Sequence, residues 1–293
     1  MTRSGIVTVV GRPNAGKSTL LNRIVGQKLS ITSPKPQTTR DRVVGILSTD
    51  AAQMVVFDTP GLLNPRYALH SAMRGAALDA IRDADAILYL VDASEPYPGD
   101  LATVAEIPHA PAAPVVVAFN KADLLDDAGR ERLRAEHADG LLVSAVTGEG
   151  VDDLLATLER ALPESPFLYP EDEISTQPMR FFAAELIRET ALEQLSDEVP
   201  YSVACTIEEF REDRDPIFIR AVIHVERESQ KGILVGAKGS RIREIGRVSR
   251  LKLEELVGGH VYLDLRVKVL ANWRRNASSL NRLGYRVPED LRK

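Results

Sequence analysis

The sequence is poor in the residues that build cross-linked or metal-stabilised folds. Its 293 residues include one cysteine, Cys205, and five histidines that are scattered along the chain. A single cysteine excludes an internal disulfide framework, and histidines without metal-ligand spacing argue against a structural zinc site. We therefore expect a protein of a reducing, cytosolic compartment.

Long hydrophobic runs are also lacking. No stretch of about eighteen apolar residues occurs, and the apolar run near the start, IVTVV, is too short for a signal peptide. We expect a soluble, cytoplasmic protein, with a peripheral contact at the inner face of the cell membrane left open. Because 44% of the residues are apolar, the chain can form two domains, each with its own core.

The net charge of −5 hides an asymmetry between the two halves of the chain. Residues 1–174 contain 16 Lys and Arg against 24 Asp and Glu, whereas residues 175–293 contain 21 against 18. The net charges are thus −8 and +3, and residues 231–282, with 12 basic and 4 acidic residues, carry +8. The basic segment indicates contact with a polyanion, although a solvated charged face is the simpler alternative.

The first half alternates apolar, β-branched runs with helical patterns. Strands are predicted at 6–10, 42–47, 53–57, 86–91, 114–119 and 140–144, and helices near 17–25, 71–82, 99–107, 129–137 and 151–162. This alternation predicts an α/β domain with a doubly wound, mainly parallel sheet. The second and third strands are too close for a helix between them, so we expect them to pair antiparallel at an edge.

Residues 163–178 are rich in proline and acid, and we interpret residues 166–178 as a linker. It separates a first domain, residues 1–165, from a second, residues 179–293. In the second domain we predict a helix at 180–195, strands near 199–210 and 216–226, a helix-glycine-helix unit at 229–257, and a strand at 260–270.

A glycine loop follows the first predicted strand. GRPNAGKS, residues 11–18, matches the pattern G-x-x-x-x-G-K-[S/T] and precedes a predicted helix. Its glycines let backbone N–H groups close around phosphates, Lys17 adds positive charge at the β and γ oxygens, and Ser18 can bind Mg²⁺. We interpret this segment as a P-loop.

DTPGLL, residues 58–63, follows another strand. Asp58 can hold Mg²⁺ through a water, and the Gly61 N–H can contact the γ-phosphate. Ras-like hydrolases place a water-orienting glutamine after this glycine, but here the residue is Leu62. We expect the Leu62 side chain to turn away, so that switch backbone and Mg²⁺ order the attacking water.

NKAD, residues 120–123, indicates which base is bound. Asp123 can accept hydrogen bonds from guanine N1–H and N2–H₂, a donor pair that adenine lacks, while Asn120 can approach N7 and Lys121 can lie along the base. After the last strand, the Ala145 N–H of SAVTGEG can face guanine O6. The SA pair alone is equally typical of an ordinary strand-to-helix turn.

GRPNAGKST, QTTRD, DTPG, NKAD and SA together resemble the translation-factor-like GTPases, and Asn14 with Leu62 resembles their Era and tRNA-modification branch. The resemblance implies a P-loop GTPase that hydrolyses GTP to GDP and phosphate. It implies that QTTRD, residues 37–41, is the first switch, with Thr39 as the second Mg²⁺ ligand and Thr38 as the alternative. It also implies that Asn14 can hold K⁺, unless this side chain only braces the loop by hydrogen bonds.

These inferences define the predicted nucleotide site. The catalytic residues are Lys17, Thr39, Asp58 and Gly61, and the Mg²⁺ ligands are Ser18, Thr39 and, through water, Asp58. The residues predicted to contact GTP are Gly11, Arg12, Pro13, Asn14, Ala15, Gly16, Lys17, Ser18, Thr19, Asp58, Thr59, Pro60, Gly61, Leu62, Asn120, Lys121, Asp123, Ser144 and Ala145.

GILVGAKGSRIREIG, residues 232–246, carries a G-x-x-G loop between two helical patterns. Glycines at 236 and 239 permit a tight turn and let a sugar-phosphate backbone approach. Alone, the pattern is also typical of a plain helical hairpin. On a helical projection Ile242, Ile245, Leu253 and Leu256 form an apolar face, and beside it lies a stripe of Arg243, Arg247 and Arg250. The residues predicted to contact RNA are Gly236, Ala237, Lys238, Gly239, Arg241, Arg243, Arg247 and Arg250.

The order helix, strand, strand, helix, GAKG, helix, strand resembles the type II KH domain, a smaller α+β module that binds single-stranded RNA. Fusion of this GTPase type to this KH type resembles the Era family across nearly the whole chain. The resemblance implies binding of the 3′ region of 16S ribosomal RNA and a role in small (30S) subunit biogenesis and rRNA processing. The sequence indicates no obligate protein partner.

Two alternatives remain at this level. A non-catalytic RNA-binding scaffold could be stabilised by nucleotide, although Lys17, Ser18, Asp58 and the threonine pair argue against it. A membrane-surface GTPase could bring the basic segment to anionic lipid, but that segment lacks the large aromatic and apolar face of an interfacial helix.

Overall fold

The computed structural model describes residues 2–33, 35, 37–195 and 199–288. The chain divides into two compact units, Met1–Pro65 with Met73–Thr176, and Arg66–Ala72 with Gln177–Lys293. Within the described residues, no helix is both long and apolar enough to cross a bilayer.

The first unit contains a six-stranded sheet with the order β2-β3-β1-β4-β5-β6. Its strands are β1 (Arg3–Val10), β2 (Val43–Ser48), β3 (Ala52–Asp58), β4 (Ala86–Asp92), β5 (Val115–Asn120) and β6 (Leu141–Leu142). The chain's first five helices are α1 (Lys17–Val25), α2 (Ala68–Asp83), α3 (Leu101–Ala105), α4 (Asp127–Glu136) and α5 (Val151–Ala161).

The sheet is parallel except for the β2–β3 pair, which confirms the predicted antiparallel edge. Every residue of β3 and the first six residues of β4 are buried. Both strands lie inside the sheet with their two faces covered, which is why their sequences are mostly apolar without alternation. Because β1, β3 and β5 run in the same direction, their carboxyl ends bring the P-loop, DTPG and NKAD to the same edge of the sheet.

β6 is shorter than the predicted strand at 140–144. Beyond Leu142 the chain turns, since Gly148 N donates to Ser144 O at 2.8 Å and Ser144 N donates to Glu149 O at 2.9 Å. These local bonds occupy the backbone groups that a longer strand would use.

The proline-rich segment runs along the first unit. Gln53 is fully buried, and its Oε1 accepts from the N–H groups of Leu168 and Tyr169 at 2.8 and 2.9 Å. Ile46 N donates to Ile174 O at 2.8 Å, and Ser175 Oγ donates to Val44 O at 2.5 Å. Residues up to 176 are thus tied to this unit by hydrogen bonds that composition does not reveal.

The second unit contains a three-stranded sheet with the order β7-β8-β9, in which β7–β8 is antiparallel and β8–β9 parallel. The further elements of the chain are α6 (Met179–Gln194), β7 (Ala204–Arg211), β8 (Ile217–Val225), α7 (Glu228–Val235), α8 (Ser240–Val257), β9 (Val261–Val269) and α9 (Ala277–Arg282). This order confirms the α+β arrangement expected of a type II KH domain.

One apolar core joins α6 and α8 to this sheet. Ile245 and Leu253 of α8 are fully buried in it, and Ile242 and Leu256 pack against it. These four residues are the predicted apolar face, so the apolar periodicity of the sequence correctly predicts which face of α8 packs on the core.

The strand predicted from residue 199 begins later than expected. Val199–Ser202 forms a 3₁₀ turn, and β7 starts at Ala204. Pro200 has no N–H for a strand ladder and restricts the residue before it, which explains the later start.

Candidate functional site

The P-loop and the first switch line a cleft of about 500 Å³ at the carboxyl edge of the first sheet. Its walls include residues of the P-loop, of the segment from Ile31 to Thr39, Gly61 and Lys121. The volume lies within the range of small-molecule sites.

Lys17 is buried and its ammonium group is held by the P-loop itself. Nζ donates to the carbonyl oxygens of Gly11 and Arg12 at 3.2 and 3.0 Å. Burial lowers the pKa of Lys17 to about 8, and the negative charge of Asp58 opposes that shift. The amine is thus fixed against the backbone of the P-loop.

Asp58 is the centre of a cluster of hydroxyl groups. Its Oδ2 accepts from Ser18 Oγ at 2.6 Å and lies 3.5 Å from Thr39 Oγ1, and the two hydroxyls lie 2.9 Å apart. Burial raises the pKa of the Asp58 carboxyl, while the hydroxyl hydrogen bonds and Lys17 oppose the rise.

This cluster fits a hard divalent cation. Asp58 Oδ1 is buried and has no hydrogen-bond partner among the residues that the structure describes. A buried oxygen of this kind is costly unless a partner or cation satisfies it. Clustered carboxylate and hydroxyl oxygens are the donors that Mg²⁺ prefers.

The structure separates the two threonines of the first switch. Thr39 lies beside Ser18 and Asp58, whereas Thr38 Oγ1 donates to Lys35 O at 2.6 Å. Of the two threonines, Thr39 is thus the one whose hydroxyl lies in the Asp58 cluster.

Gly61 packs directly against the P-loop. A Cβ at this position would lie 2.7–2.8 Å from the backbone N and Cα of Pro13, so no side chain fits without moving the loop. The next residue, Leu62, donates its N–H to Gly11 O at 3.0 Å. Its side chain is 6% exposed and lies in an apolar cluster with Val10 and Ala77. The Leu62 side chain is therefore a core residue.

The other residues predicted to contact the nucleotide differ in their burial. Thr59 is buried and its hydroxyl donates to Val9 O at 2.8 Å, while Pro60 is also buried. Thr19 lines the cleft, and Arg12 and Asn14 are exposed. Asn14 has a φ of 64°, a left-handed conformation that asparagine tolerates better than most residues.

Asn120 connects three loops of the site. Its Nδ2 donates to Ala15 O at 2.8 Å, and its Oδ1 accepts from Ala145 N at 2.9 Å. The sequence predicted that Asn120 approaches guanine N7 and that the Ala145 N–H faces guanine O6. In this structure the two groups bond to each other.

Asp123 stands beside the same loops. It is exposed, and Ser144 Oγ donates to its Oδ1 at 2.5 Å. Ser144 thereby orients the carboxylate, and the Thr147 N–H donates to the Ser144 hydroxyl at 3.1 Å. This bonding explains why a serine precedes Ala145.

Sequence reasoning missed four residues that hold these loops, namely Arg23, Asp92, Arg130 and Glu149. Arg23 Nε donates to Ala145 O at 2.5 Å, and Lys121 forms an ion pair with Asp92. Arg130 donates to Ala122 O at 2.8 Å and forms a two-pronged ion pair with Glu149, which lowers the pKa of that carboxyl. Their sequence spacing gave no signal, because each pair joins segments that meet only in the folded chain.

The second candidate site is the loop between α7 and α8. Ala237 and Lys238 are exposed at its tip, and Lys238 has a φ of 49°. Gly239 has a φ of 77°, and among the described residues a Cβ there would meet only Ile242 Cγ2, at 3.9 Å, beyond its chain neighbours. The tip is thus a strained turn whose outer side is open.

The arginines near this loop differ in their bonding. Arg243 donates to the carbonyl oxygens of Gly239 and Lys238, both at 3.2 Å, and Arg241 donates to Ile233 O at 2.9 Å. These two arginines brace the turn.

Arg247 and Arg250 are paired instead with acids of their own helix. Arg247 lies 2.7 Å from Glu244, and Arg250 lies 2.8 Å from Glu254. The expected arginine stripe is therefore partly neutralised. The predicted RNA contacts of all four arginines stay predictions.

Arg274 of the carboxyl-terminal segment is also paired. Its guanidinium lies 2.6 Å from Glu226 and is 23% exposed. It serves as an internal ion-pair partner in the second unit.

Comparison with known proteins finds a family model for each part of the chain. A family model described as 50S ribosome-binding GTPase matches residues 6–121, and a KH domain model matches residues 198–274. GTPase Era of Geobacter metallireducens is 43% identical over 291 residues, which cover 97% of this chain and 98% of the relative.

Two solved structures are similar along the whole chain. One is the crystal structure of Era in complex with MgGDPNP and nucleotides 1506-1542 of 16S ribosomal RNA, and the other is an Aquifex aeolicus Era variant bound to GDP.AlF4-. Each has a TM-score of 0.89 and 36% identity and covers 98% of this chain and 100% of its own. The chain belongs to the Era family of GTPases.

We predict that Asp123→Asn moves base preference from guanine toward xanthine, because an amide can donate to the C2 carbonyl of xanthine. GTP affinity should fall about 100-fold, since two hydrogen bonds to a charged group are lost. Competition binding of GTP and XTP measures the change. Asp127→Asn, which removes an exposed charge from α4, is the control. Unchanged selectivity in Asp123→Asn would show that NKAD does not read the base.

We predict that Leu62→Ala lowers the free energy of unfolding by about 2–5 kcal/mol, because it truncates a buried side chain. GTP turnover per folded molecule should change by less than about twofold, since leucine supplies no group that orients water. Denaturant unfolding and single-turnover assays separate the two effects. Gly61→Ala is the contrasting variant, because its new methyl group meets the Pro13 backbone. A collapse of turnover in folded Leu62→Ala would contradict this assignment.

Proposed function

We propose that this protein is a GTP-hydrolysing switch that binds the 3′ region of 16S ribosomal RNA and assists small (30S) subunit biogenesis and rRNA processing. The observation that carries the proposal is the convergence of Lys17, Ser18, Thr39 and Asp58 beside the P-loop, in a chain that also presents an open G-x-x-G loop. The related Era structure with MgGDPNP and 16S ribosomal RNA nucleotides supports both halves of it.

GTP is held at its two ends by different loops. Asp123 accepts from guanine N1–H and N2–H₂, and Asn120 and Ala145, which are already bonded to each other, form the rest of the base site. At the other end the P-loop N–H groups and Lys17 contact the phosphates.

Phosphoryl transfer depends on positioning water and on stabilising negative charge on the transferred group. We assign the charge stabilisation to Lys17 and the P-loop, and the positioning of water to the Gly61 backbone and the first switch. Ser18 and Thr39, with Asp58 through a water, would hold Mg²⁺, which neutralises charge on the β and γ phosphates when bound. Leu62 takes no part in this chemistry because its side chain lies in the core.

We propose Asn14 as a ligand of K⁺, which would supply positive charge where other GTPases use an arginine. Asn14 is exposed on the P-loop, one residue from Pro13 against which Gly61 packs. A side-chain oxygen at that place can lie beside the phosphate chain.

RNA binding is assigned to the second unit. The open turn at Ala237–Gly239 admits a sugar-phosphate backbone, and Lys238 at its tip carries a positive charge toward it. Arg241 and Arg243 fix the loop and add charge, and we include Arg247 and Arg250 as peripheral contacts.

The division of labour follows the predicted domain limits. We propose that residues 1–165 handle nucleotide, residues 179–293 handle RNA, and residues 166–178 join them. We propose a cytoplasmic location, because the proposed RNA partner is ribosomal. Peripheral contact with the inner face of the membrane stays a prediction suggested only by the basic segment.

We predict that replacing Na⁺ by K⁺ at equal ionic strength raises GTP turnover about tenfold, equivalent to about 1.4 kcal/mol of transition-state stabilisation. Asn14→Ala should erase the difference between the two salts. Asn14→Gly should erase it too, and it serves as the matched variant because glycine accepts the positive φ without strain. Equal rates of the unmodified protein in the two salts, or a K⁺ response that survives in Asn14→Gly, would refute the potassium assignment.

We predict that Gly239→Asp weakens RNA binding at least about tenfold and changes GTP affinity by less than about twofold, because the new carboxylate blocks and repels the phosphate backbone. Titration with an RNA of nucleotides 1506–1542 of 16S ribosomal RNA and with GTP measures both. Gly258→Asp is the matched control, since Gly258 caps the carboxyl end of α8 with a φ of 67°, and a Cβ added there would meet no atom of the described residues within 4 Å beyond its chain neighbours.

Three outcomes decide the proposed function. GTP turnover in the unmodified protein, with RNA binding lost only in Gly239→Asp, supports it. RNA binding without GTP turnover would favour the scaffold alternative. Equal RNA binding by the Gly239 and Gly258 variants would show that GAKG is only a structural turn and does not contact RNA.

A further inference from the structure

A third hydroxyl group contacts the Asp58 carboxylate, and it belongs to none of the sequence motifs. Ser30 Oγ donates to Asp58 Oδ2 at 2.9 Å. Ser30 lies between α1 and the first switch and is 1% exposed. It therefore adds a buried hydrogen bond to the same oxygen that Ser18 contacts.

Ser30 is itself held by a side chain of α1. The Asn22 Oδ1 accepts from the N–H groups of Leu29 and Ser30 at 2.9 and 2.8 Å, and its Nδ2 donates to Ser30 O at 2.8 Å. On either side, Leu29 and Ile31 are buried at 8% and 6% exposure. Three hydrogen bonds and two apolar anchors thus fix the backbone that carries the Ser30 hydroxyl.

The three hydroxyls around Asp58 have different duties. Ser18 and Thr39 are the proposed cation ligands, so the cation would engage their oxygens. Ser30 is connected to α1 through Asn22 and lies nine residues before Thr39 in the chain. Its hydrogen bond can hold Asp58 Oδ2 independently of the switch.

We propose that Ser30 is a positioning residue for Asp58, with Asn22 as its support. Resting on the proposed function, the inference is that the Ser30 hydroxyl sets the carboxylate orientation that lets Asp58 and the switch residues retain Mg²⁺ with the nucleotide. A hydrogen bond to a charged, buried acceptor is among the stronger ones, and its loss leaves that acceptor less well satisfied. Asn22 acts on the orientation of Asp58 indirectly: it bonds to Ser30, and Ser30 bonds to Asp58.

The test measures release of a fluorescent GDP analogue from the full-length protein as a function of Mg²⁺ concentration, with excess EDTA as the cation-free condition. In Ser30→Ala the Mg²⁺ concentration that half-protects the nucleotide should rise about tenfold, while release in EDTA stays within about twofold of the unmodified protein. Asn22→Ala, which keeps the Ser30 hydroxyl, should shift the Mg²⁺ dependence in the same direction.

Two further variants separate positioning from general loss of stability. Ser30→Thr retains a hydroxyl and should restore Mg²⁺ dependence toward that of the unmodified protein. Thr8→Val removes a different buried hydroxyl of the first unit, one in β1 that donates to Ala80 O at 2.8 Å, and should leave the Mg²⁺ dependence unchanged. If Ser30→Ala does not fold, Asn22→Ala carries the same test.

The outcomes are distinct. A Mg²⁺ dependence in folded Ser30→Ala and Asn22→Ala equal to that of Thr8→Val overturns the inference and leaves the proposed function standing. Faster release in EDTA by the same factor as in Mg²⁺ also overturns it, because the effect would then be structural. Failure of Mg²⁺ to slow release in the unmodified protein would instead contradict the proposed function.

Discussion

The first unit depends on one constraint: a carboxylate buried at the end of a strand must be satisfied. Asp58 lies where β3 leaves the sheet, and its surroundings supply hydroxyls from three separate stretches of chain. Desolvation disfavours its charge, so the carboxylate is stable only while those stretches stay in place and a cation or ammonium lies near. One buried oxygen pair therefore couples α1, the first switch and the sheet.

The second unit follows a different logic. Its core is formed by apolar residues of α6, α8 and the sheet, and the G-x-x-G turn stands outside that core. Arg243 satisfies two carbonyls of the turn, so the loop keeps its shape without apolar packing. The packed core fixes the helices that carry the turn, and hydrogen bonds fix the turn itself. The surface at the turn is therefore both ordered and open.

Much of this arrangement can be predicted from the sequence because it depends on local periodicity and local motifs. The apolar face of α8, the buried run of β3 and the P-loop at the start of α1 each leave a pattern within a few residues. Asn22, Ser30, Arg23 and Arg130 leave none, since their partners are distant in sequence and become neighbours only after folding. Prolines and acids predict a linker at residues 166–178, but they do not reveal that a buried glutamine in β3 holds Leu168 and Tyr169 of this segment.

Charge patterns were the least reliable guide. A helical projection places Arg247 and Arg250 on an exposed stripe, but it does not show that Glu244 and Glu254 lie one turn away with matching geometry. Pairs at this spacing neutralise charge while leaving the residues on the surface. Net charge over a segment thus overstates the charge that is free to meet a phosphate.

The bonding of Asn120 has a consequence for the thermodynamics of nucleotide capture. Protein groups alone tie the NKAD, P-loop and SA segments together through this side chain, and Arg23 and Arg130 reinforce the ties. A site whose loops are already ordered loses little conformational entropy when a ligand enters. Base recognition is thereby preorganised, and its free energy appears as affinity instead of being consumed in ordering the loops.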